Sequence, residues 1–565
     1  MSALPDSSLA APDRAVIATF QSLRLIAALP SWYNEAAVGA ATPAFVLGVP
    51  GAAPGLAGVL AVGDVDGGAS SDPAASAADG RNNSAANVAL PRKRGRVCEV
   101  IPLFTSAGGE VFINLGNPMA RIIEPRTLKG FRDFLPALMI PREQLMETAR
   151  SVFRSYGFVP IDTPALELTE VLLAKVPDGA EVGKQMYRFT DNGGRDVALR
   201  FDLTVPLARF VSAHANELGL PFRRYHIGPV WRGENTQAGR YREFTQCDFD
   251  TIGSMDSAAD TEIALVICDL LTALGIDRFA VHVNDRRVLS GLLFELGLPA
   301  ESAMPILRSL DKLAKIGAPA VIGEMAASGA VTEAQAQRVV EMASTNGTND
   351  EVLAALSERF ASNPQAMTGV EGLRQLVDTA RSAGIDEAHI RVDLSICRGL
   401  DYYTGTVYGT FLTDLPEIGS VCSGGRYDDL TGRYTKQSLP GVGASLGLDR
   451  LIAAMEQLGI FGAQTATAAA VLVTRIESSR LGEYQAMARR LRSAGVGVDV
   501  FPDTKKLGQQ LAYGERKGFR FALIAGSEEF AAGVWKLKDL LSRTEVTVDA
   551  TDVASTIGSL LAERG

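Results

Sequence analysis

The stretch Tyr225-His-Ile-Gly-Pro-Val-Trp-Arg-Gly-Glu-Asn-Thr-Gln-Ala-Gly-Arg-Tyr-Arg-Glu-Phe-Thr-Gln-Cys-Asp-Phe-Asp250 holds the densest chemistry in the chain. Residues 222–227 and 240–251 read as strands separated by the polar loop 233–239, an antiparallel pattern. Arg232, at the end of the first strand, presents a fixed fork of donors that can clamp an α-phosphate. A mobile loop would let Glu234 and Arg240 close over a nucleotide. The bland alternative is a solvated hairpin with alternating charges, common in sheets.

Upstream, 143–156 has apolar residues at helical spacing, and 157–167 switches to an extended, proline-punctuated strand. Residues 185–209 read as a hairpin with an Asn-Gly-Gly turn, running into a helix that starts after Thr204. Downstream, 288–389 is almost wholly helical, with caps such as Thr332. Strand signals return at 391–411 and 420–425, and 441–446 leads into a helix over 450–458. The sheet therefore resumes after a helical insertion. Beyond a linker at 462–467, the order is strand 470–473, helix 483–494, strand 496–501, helix 506–517, strand 520–525. That alternation predicts a compact α/β unit with a mainly parallel sheet.

A chain of 565 residues exceeds what one core usually supports and implies two to four domains. A net charge of -10 argues against a general polyanion binder, although local basic patches can still hold an RNA backbone. Five cysteines (Cys98, Cys247, Cys268, Cys397, Cys422) contain no Cys-x-x-Cys pair, so neither a disulfide framework nor a zinc site is expected, and a reducing cytoplasm fits. Residues 1–118 are rich in Ala, Gly, Pro and Ser and are expected to be flexible. Within them, 36–63 lacks charge but is broken by Pro43, Pro50 and Pro54, so no membrane span is expected. The segment starting Met119-Ala-Arg-Ile-Ile-Glu-Pro-Arg-Thr-Leu-Lys-Gly reads as a natural start, which makes the preceding residues an extension or a misassigned initiation.

The arginine, glycine-bearing loop and Arg-x-Arg-Glu-Phe of the opening stretch resemble the second signature of class II aminoacyl-tRNA synthetases. Gly157-Phe-Val-Pro-Ile-Asp-Thr-Pro-Ala-Leu-Glu resembles the first, with Pro164 at the position of the family's dimer-interface proline. Gly441-Val-Gly-Ala-Ser-Leu-Gly-Leu-Asp-Arg450 resembles the third. Two more segments, Arg398-Gly-Leu-Asp-Tyr-Tyr-Thr-Gly405 and Cys422-Ser-Gly-Gly-Arg-Tyr-Asp-Asp429, are similar to the motifs peculiar to histidyl-tRNA synthetases. The resemblance implies an α+β fold: a class II antiparallel-sheet catalytic domain over 119–287 and 390–461, a helical insertion over 288–389, and a C-terminal α/β anticodon-binding domain over 468–565.

It also implies L-histidine, ATP carrying Mg²⁺ and tRNA(His) as partners, a homodimer, and no structural metal. Catalytic roles fall to Arg232, Arg398 and Arg450, and ATP contacts to Arg232, Glu234, Arg240, Phe244 and Arg450. Asp202, Leu203, Thr204 and Gln246 match positions around the histidine ammonium; Asp250 and Tyr403, with Tyr402 beside them, match those flanking the imidazole. Asp202 and Asp250 stand where some members carry Glu, which keeps the charge and shortens the reach. The structural alternatives are that Asp202 caps the following helix and that the tyrosines are sheet-face core. Arg489, Arg490, Lys505, Lys506, Arg516, Lys517 and Arg520 make the tail locally basic, as phosphate contacts require. Two competing functions remain. One is a non-catalytic regulatory paralogue of the same fold. The other is a class II synthetase for threonine, proline or glycine, which would lack the Arg-Gly-Leu-Asp-Tyr-Tyr block.

Overall fold

A computed structural model describes residues 123–174, 181–299, 302–397, 403–437, 439–461 and 465–562, together with four short strands nearer the N-terminus. Those strands pair antiparallel, Phe45–Val46 with Val59–Leu60 and Val100–Phe104 with Glu110–Asn114. The expected flexibility of 1–118 otherwise falls outside the described residues.

The main sheet has eight strands, in the order Ile390–Val392, Phe279–Asp285, Thr406–Leu412, Cys422–Tyr427, Gly441–Gly447, Glu243–Ile252, Phe222–Trp231 and Val159–Pro160. Pairing is antiparallel throughout the interior and parallel only at the two outer pairs. Alternation along Glu243–Ile252 assigns its two faces. Cys247 and Phe249 face a buried layer in which Phe153, from the helix Pro136–Ser155, sits with its ring centroid 4.9 Å from Phe249 and 5.5 Å from Tyr225. Gln246, Asp248 and Asp250 take the opposite face, because side chains two apart share a side of a strand.

The helix Ser257–Ala273 is apolar on most sides and correspondingly buried, and Asp256 caps it by accepting from the Ala258 N–H at 2.8 Å. Its buried residues share one contiguous core with the sheet and with helices between Arg286 and Ser382, including Leu292, Leu356 and Val370. Capping boxes at Thr332 with Gln335 and Thr348 with Glu351 start two of those helices.

Two sequence expectations need correction. The long strand expected over 157–167 is instead two short ones, Val159–Pro160 and Leu166–Leu168, which join different sheets. Pro160 and Pro164 lack the N–H groups a continuous ladder would use. The C-terminal sheet, in the order Val498–Val500, Val471–Val473, Phe521–Ile524, Val534–Asp539, Glu545–Asp549, is not mainly parallel. Two of its pairings are parallel and two antiparallel. The antiparallel half comes from a hairpin whose turn contains no glycine. Asp539 organises it by accepting from the Leu541 and Ser542 N–H groups, and Arg543 takes the left-handed conformation at φ 61°.

Candidate active site

Cross-strand register determines which groups meet. Asp250 lies opposite Arg224 on one side and Gly443 on the other; Asp248 lies opposite His226 and Ser445; Gln246 lies opposite Gly228 and Gly447. Above this face is a cavity of about 250 Å³ whose lining draws on three stretches distant in sequence. Asp202 and Thr204 come from the start of the helix Thr204–Leu218. Arg232, Glu234, Arg240, Phe244, Gln246 and Asp250 come from the hairpin. Tyr403, Tyr427, Ser445 and Arg450 come from beyond the helical region.

Most of the residues expected at the site therefore converge. Leu203 is the exception, because its apolar side chain is wholly buried and takes no part in the lining. Arg398 and Tyr402 lie outside the described residues.

The part of the lining around Asp250 is charged and buried. Arg224 is fully buried and ion-paired with Asp250 at 2.6 Å, and the Tyr427 hydroxyl donates to the other oxygen of the same carboxylate. Burial outweighs the attraction of Arg224, so the Asp250 carboxyl sits above its ordinary range. Asp202 is also raised by burial, against the lowering effect of the Val205 N–H, which donates to it at 3.0 Å. It thus caps the helix and lines the cavity at once. Gln246 donates through Nε2 to the Ser445 hydroxyl at 2.8 Å, and its Oε1 has no hydrogen-bond partner among the described residues.

The glycines of the third signature act sterically. A Cβ on Gly443 would lie 2.1 Å from Asp250 Oδ1, so only glycine leaves room for that carboxylate. On the neighbouring strand, a Cβ on Gly425 would lie 2.8 Å from Cγ of Tyr403.

The part of the lining around Glu234 and Arg240 is more exposed. Arg232 donates through Nε to the Phe201 carbonyl at 2.9 Å and lies 5.2 Å from the Phe244 ring centroid. Glu234 and Arg240 approach to 3.6 Å across the loop. Arg450, at the start of the helix Leu448–Gln457, donates to the Ser420 carbonyl at 2.6 Å. Among the described residues no cluster of three His, Cys, Asp or Glu side chains could hold a metal ion.

Arg224, Asp248, Tyr427 and Ser445 were not singled out from the sequence. Each stands within a quoted or adjacent motif, and the signal that would have found them is strand register. Residues 224, 248 and 250 share one face once the hairpin pairing is fixed.

Elsewhere, the described cysteines are free and buried, with burial pushing the Cys247, Cys268 and Cys397 thiols up to about 12. In the tail, Arg489, Arg490, Lys505, Lys506 and Arg516 are exposed. Arg520 is half-buried and committed to Asp539 at 2.5 Å.

This sheet, with one arginine from its hairpin and another from the helix that follows its last strand in chain order, Gly441–Gly447, has the architecture of a class II aminoacyl-tRNA synthetase. A histidyl-tRNA synthetase family model matches residues 130–451, and an anticodon-binding domain model matches 469–560. Among curated relatives, a histidine–tRNA ligase of Rhodopirellula baltica is 54% identical over 433 residues, covering 77% of this chain and 96% of the relative. One from Treponema denticola is 44% identical over 79% of this chain and 100% of its own length. The crystal structure of a histidyl-tRNA synthetase from Nostoc superposes with a TM-score of 0.71 at 35% identity, covering 77% of this chain and 99% of that one. The chain belongs to the histidyl-tRNA synthetase family.

Proposed function

We propose that this protein is a histidine–tRNA ligase that activates L-histidine with ATP and transfers it to the 3′ end of tRNA(His). The observation that carries the reading is one cavity whose lining brings buried Asp202, Gln246 and Asp250, the amino-acid end in this reading, together with Arg232 and Arg450, the nucleotide end. In the first step the histidine carboxylate attacks the α-phosphorus of ATP and pyrophosphate leaves. In the second, the terminal ribose hydroxyl of tRNA attacks the adenylate carbonyl. Neither step needs a protein nucleophile, so rate comes from alignment and from cations placed where charge develops.

Arg232 is held by one nitrogen on a backbone carbonyl, which leaves its two terminal amino groups to grip the α-phosphate. Arg450 supplies a second cation, and Phe244 offers a face for the adenine ring. Glu234 and Arg240 close over the nucleotide from the loop. Mg²⁺ arrives on the ATP phosphates as part of the substrate, which suits a cavity whose buried carboxylates are already engaged.

Asp202, Thr204 and the free Oε1 of Gln246 receive the histidine ammonium. Asp250, fixed by Arg224 and Tyr427, accepts from the imidazole, with Tyr403 on the other side and Tyr402 beside it. A pocket with these buried polar groups rejects apolar isosteres, because binding one would leave them unpaired. Arg398 is assigned the α-phosphate at the reacting end by its place in the family's first histidine motif.

Residues 119–287 and 390–461 form the catalytic domain in this reading, 288–389 the insertion, and 468–565 the anticodon-binding domain with its exposed basic residues toward RNA. Homodimerisation is supported by the open edge at Val159–Pro160, where Val159, Leu166 and Leu168 leave apolar surface exposed around Pro164. The cytoplasmic setting in this reading rests on the described cysteines, which are free and buried, as a reducing compartment keeps them.

ATP/pyrophosphate exchange with each amino acid in turn, followed by charging of tRNA, tests the function. Histidine alone should support exchange, and Arg398→Ala should slow it by about a hundredfold or more. Exchange driven by threonine, proline or glycine, or by no amino acid, would defeat the reading in favour of another synthetase or a regulatory paralogue.

A further inference from the structure

The stretch Leu128-Lys-Gly-Phe-Arg-Asp-Phe134 precedes the first helix and carries none of the three signatures, yet it is clasped onto the nucleotide end of the cavity. The Gly130 carbonyl accepts from the Arg242 N–H at 2.9 Å, at the base of the hairpin loop. Gly130 adopts φ 86°, and a Cβ there would lie 2.7 Å from Arg242 Cγ and 2.9 Å from Thr236 Cγ2. The strap thus touches the loop as closely as only glycine permits.

Two residues on, the Arg132 guanidinium stacks on Tyr241, a cavity-lining residue, with its carbon 3.9 Å from the ring centroid. The same guanidinium donates to Asp449 Oδ1 at 2.5 Å. Asp449 is buried, with its side chain 2% exposed, and immediately precedes Arg450. Its carboxylate also accepts from Arg142 at 2.8 Å and from the Thr245 N–H at 2.7 Å, next to Phe244 and Gln246. The Phe134 ring centroid lies 4.5 Å from the Arg132 guanidinium and 4.4 Å from that of Arg142.

We propose that 128–134 is a positioning strap for the nucleotide side, with Arg132 acting through Tyr241 on the loop and through Asp449 on Arg450. The proposal rests on the reading that the cavity takes ATP. Arg132 touches no reacting atom; it fixes where the loop and Arg450 stand before ATP arrives. Removing it should therefore weaken ATP and spare histidine, whose partners stand on the sheet.

The test uses the full chain. ATP binding by calorimetry, and the KM values for ATP and for histidine in the exchange assay, are measured for wild type, Arg132→Met, Arg132→Lys and Gly130→Ala. The expected result is a rise of about tenfold in the ATP Kd and KM for Arg132→Met, with the histidine KM within about twofold. Arg132→Lys keeps the charge and should recover part of the loss. Gly130→Ala, which alters no charge, should move the ATP values in the same direction. Unchanged ATP values in Arg132→Met and Gly130→Ala would overturn the strap. So would an equal rise of both KM values accompanied by a lower thermal midpoint, the mark of a merely structural role. A wild-type protein that binds ATP but shows no exchange with histidine would instead overturn the function, while the ratio of ATP Kd values still decides the strap.

Discussion

At the end of the cavity that the proposed function gives to the amino acid, the polar groups stand on paired strands: the Arg224 and Asp250 side chains are 0% and 4% exposed. At the end that the same reading gives to the nucleotide, Glu234 and Arg240 stand on a loop, with side chains 22% and 43% exposed. The contrast is physical. An imidazole must be told apart from other side chains, which requires dry, fixed hydrogen-bond partners whose desolvation the fold has already met. A nucleotide is common to every synthetase reaction and is gripped through phosphate charge, which tolerates a loop that moves and closes. In the proposed function, discrimination falls to the paired strands and capture to the hairpin loop.

If the amino-acid end is prepaid in this sense, breaking it should cost stability before it costs anything else. Arg224→Met leaves Asp250 buried without its cation, and removing one partner of a buried pair costs about 3–5 kcal/mol. Urea denaturation should show a loss on that scale. Arg240→Ala, at the open end, should cost about 1 kcal/mol or less, as exposed pairs do. Equal losses at the two ends would erase the distinction.

A smaller perturbation sharpens the same point without touching charge. In Gly443→Ala the added Cβ starts 2.1 Å from Asp250 Oδ1, and overpacking of this kind costs about 1–3 kcal/mol. In the proposed function the displaced group is the imidazole acceptor, so the histidine KM should rise while the ATP KM holds. A variant in which both KM values shift alike would mean that the two ends are not separately built.

This division also explains what could be read from the chain and what could not. The arginines of the nucleotide end sit inside linear signatures, so Arg232 and Arg450 were legible as soon as the motifs were. The aspartate at 250 was legible for the same reason. Its keepers were not: Arg224 looks like one charge among the consecutive pair Arg223 and Arg224, and only register shows that one faces the cavity layer, wholly buried, while the other is an exposed partner of Glu262. Tyr427 belongs to a quoted motif, but its hydroxyl meets Asp250 across 177 positions. In the fold, the helices and most strand centres followed from periodicity. The strand over 157–167 failed because proline punctuation was taken as part of the strand rather than its end. The final hairpin of the tail went unread because an aspartate, not a glycine, makes its turn.

The smallest expected effect concerns Asp248, which lies between Gln246 and Asp250 on the same face of its strand and opposite neutral His226. Burial pushes its carboxyl up to about 7, although Arg224 pulls the other way and Asp250 adds to the rise. In the unfolded chain an aspartate titrates near about 3.9. Between these values the folded protein holds a proton that the unfolded chain has released, so stability falls as pH rises through the window. His226, lowered to about 3 by burial, stays neutral in the fold while its unfolded form gains a proton below about 6.5, so it opposes the slope in wild type, and the comparison with a variant that keeps His226 cancels it. Asp248→Asn removes the titration and keeps the shape. Relative to wild type it should gain about 1 kcal/mol or more in unfolding free energy on going from about pH 5 to about pH 8. Parallel stability curves for the two proteins would mean that Asp248 is ionised in the fold. The floor would then carry one more negative charge than the burial of the amino-acid end allows.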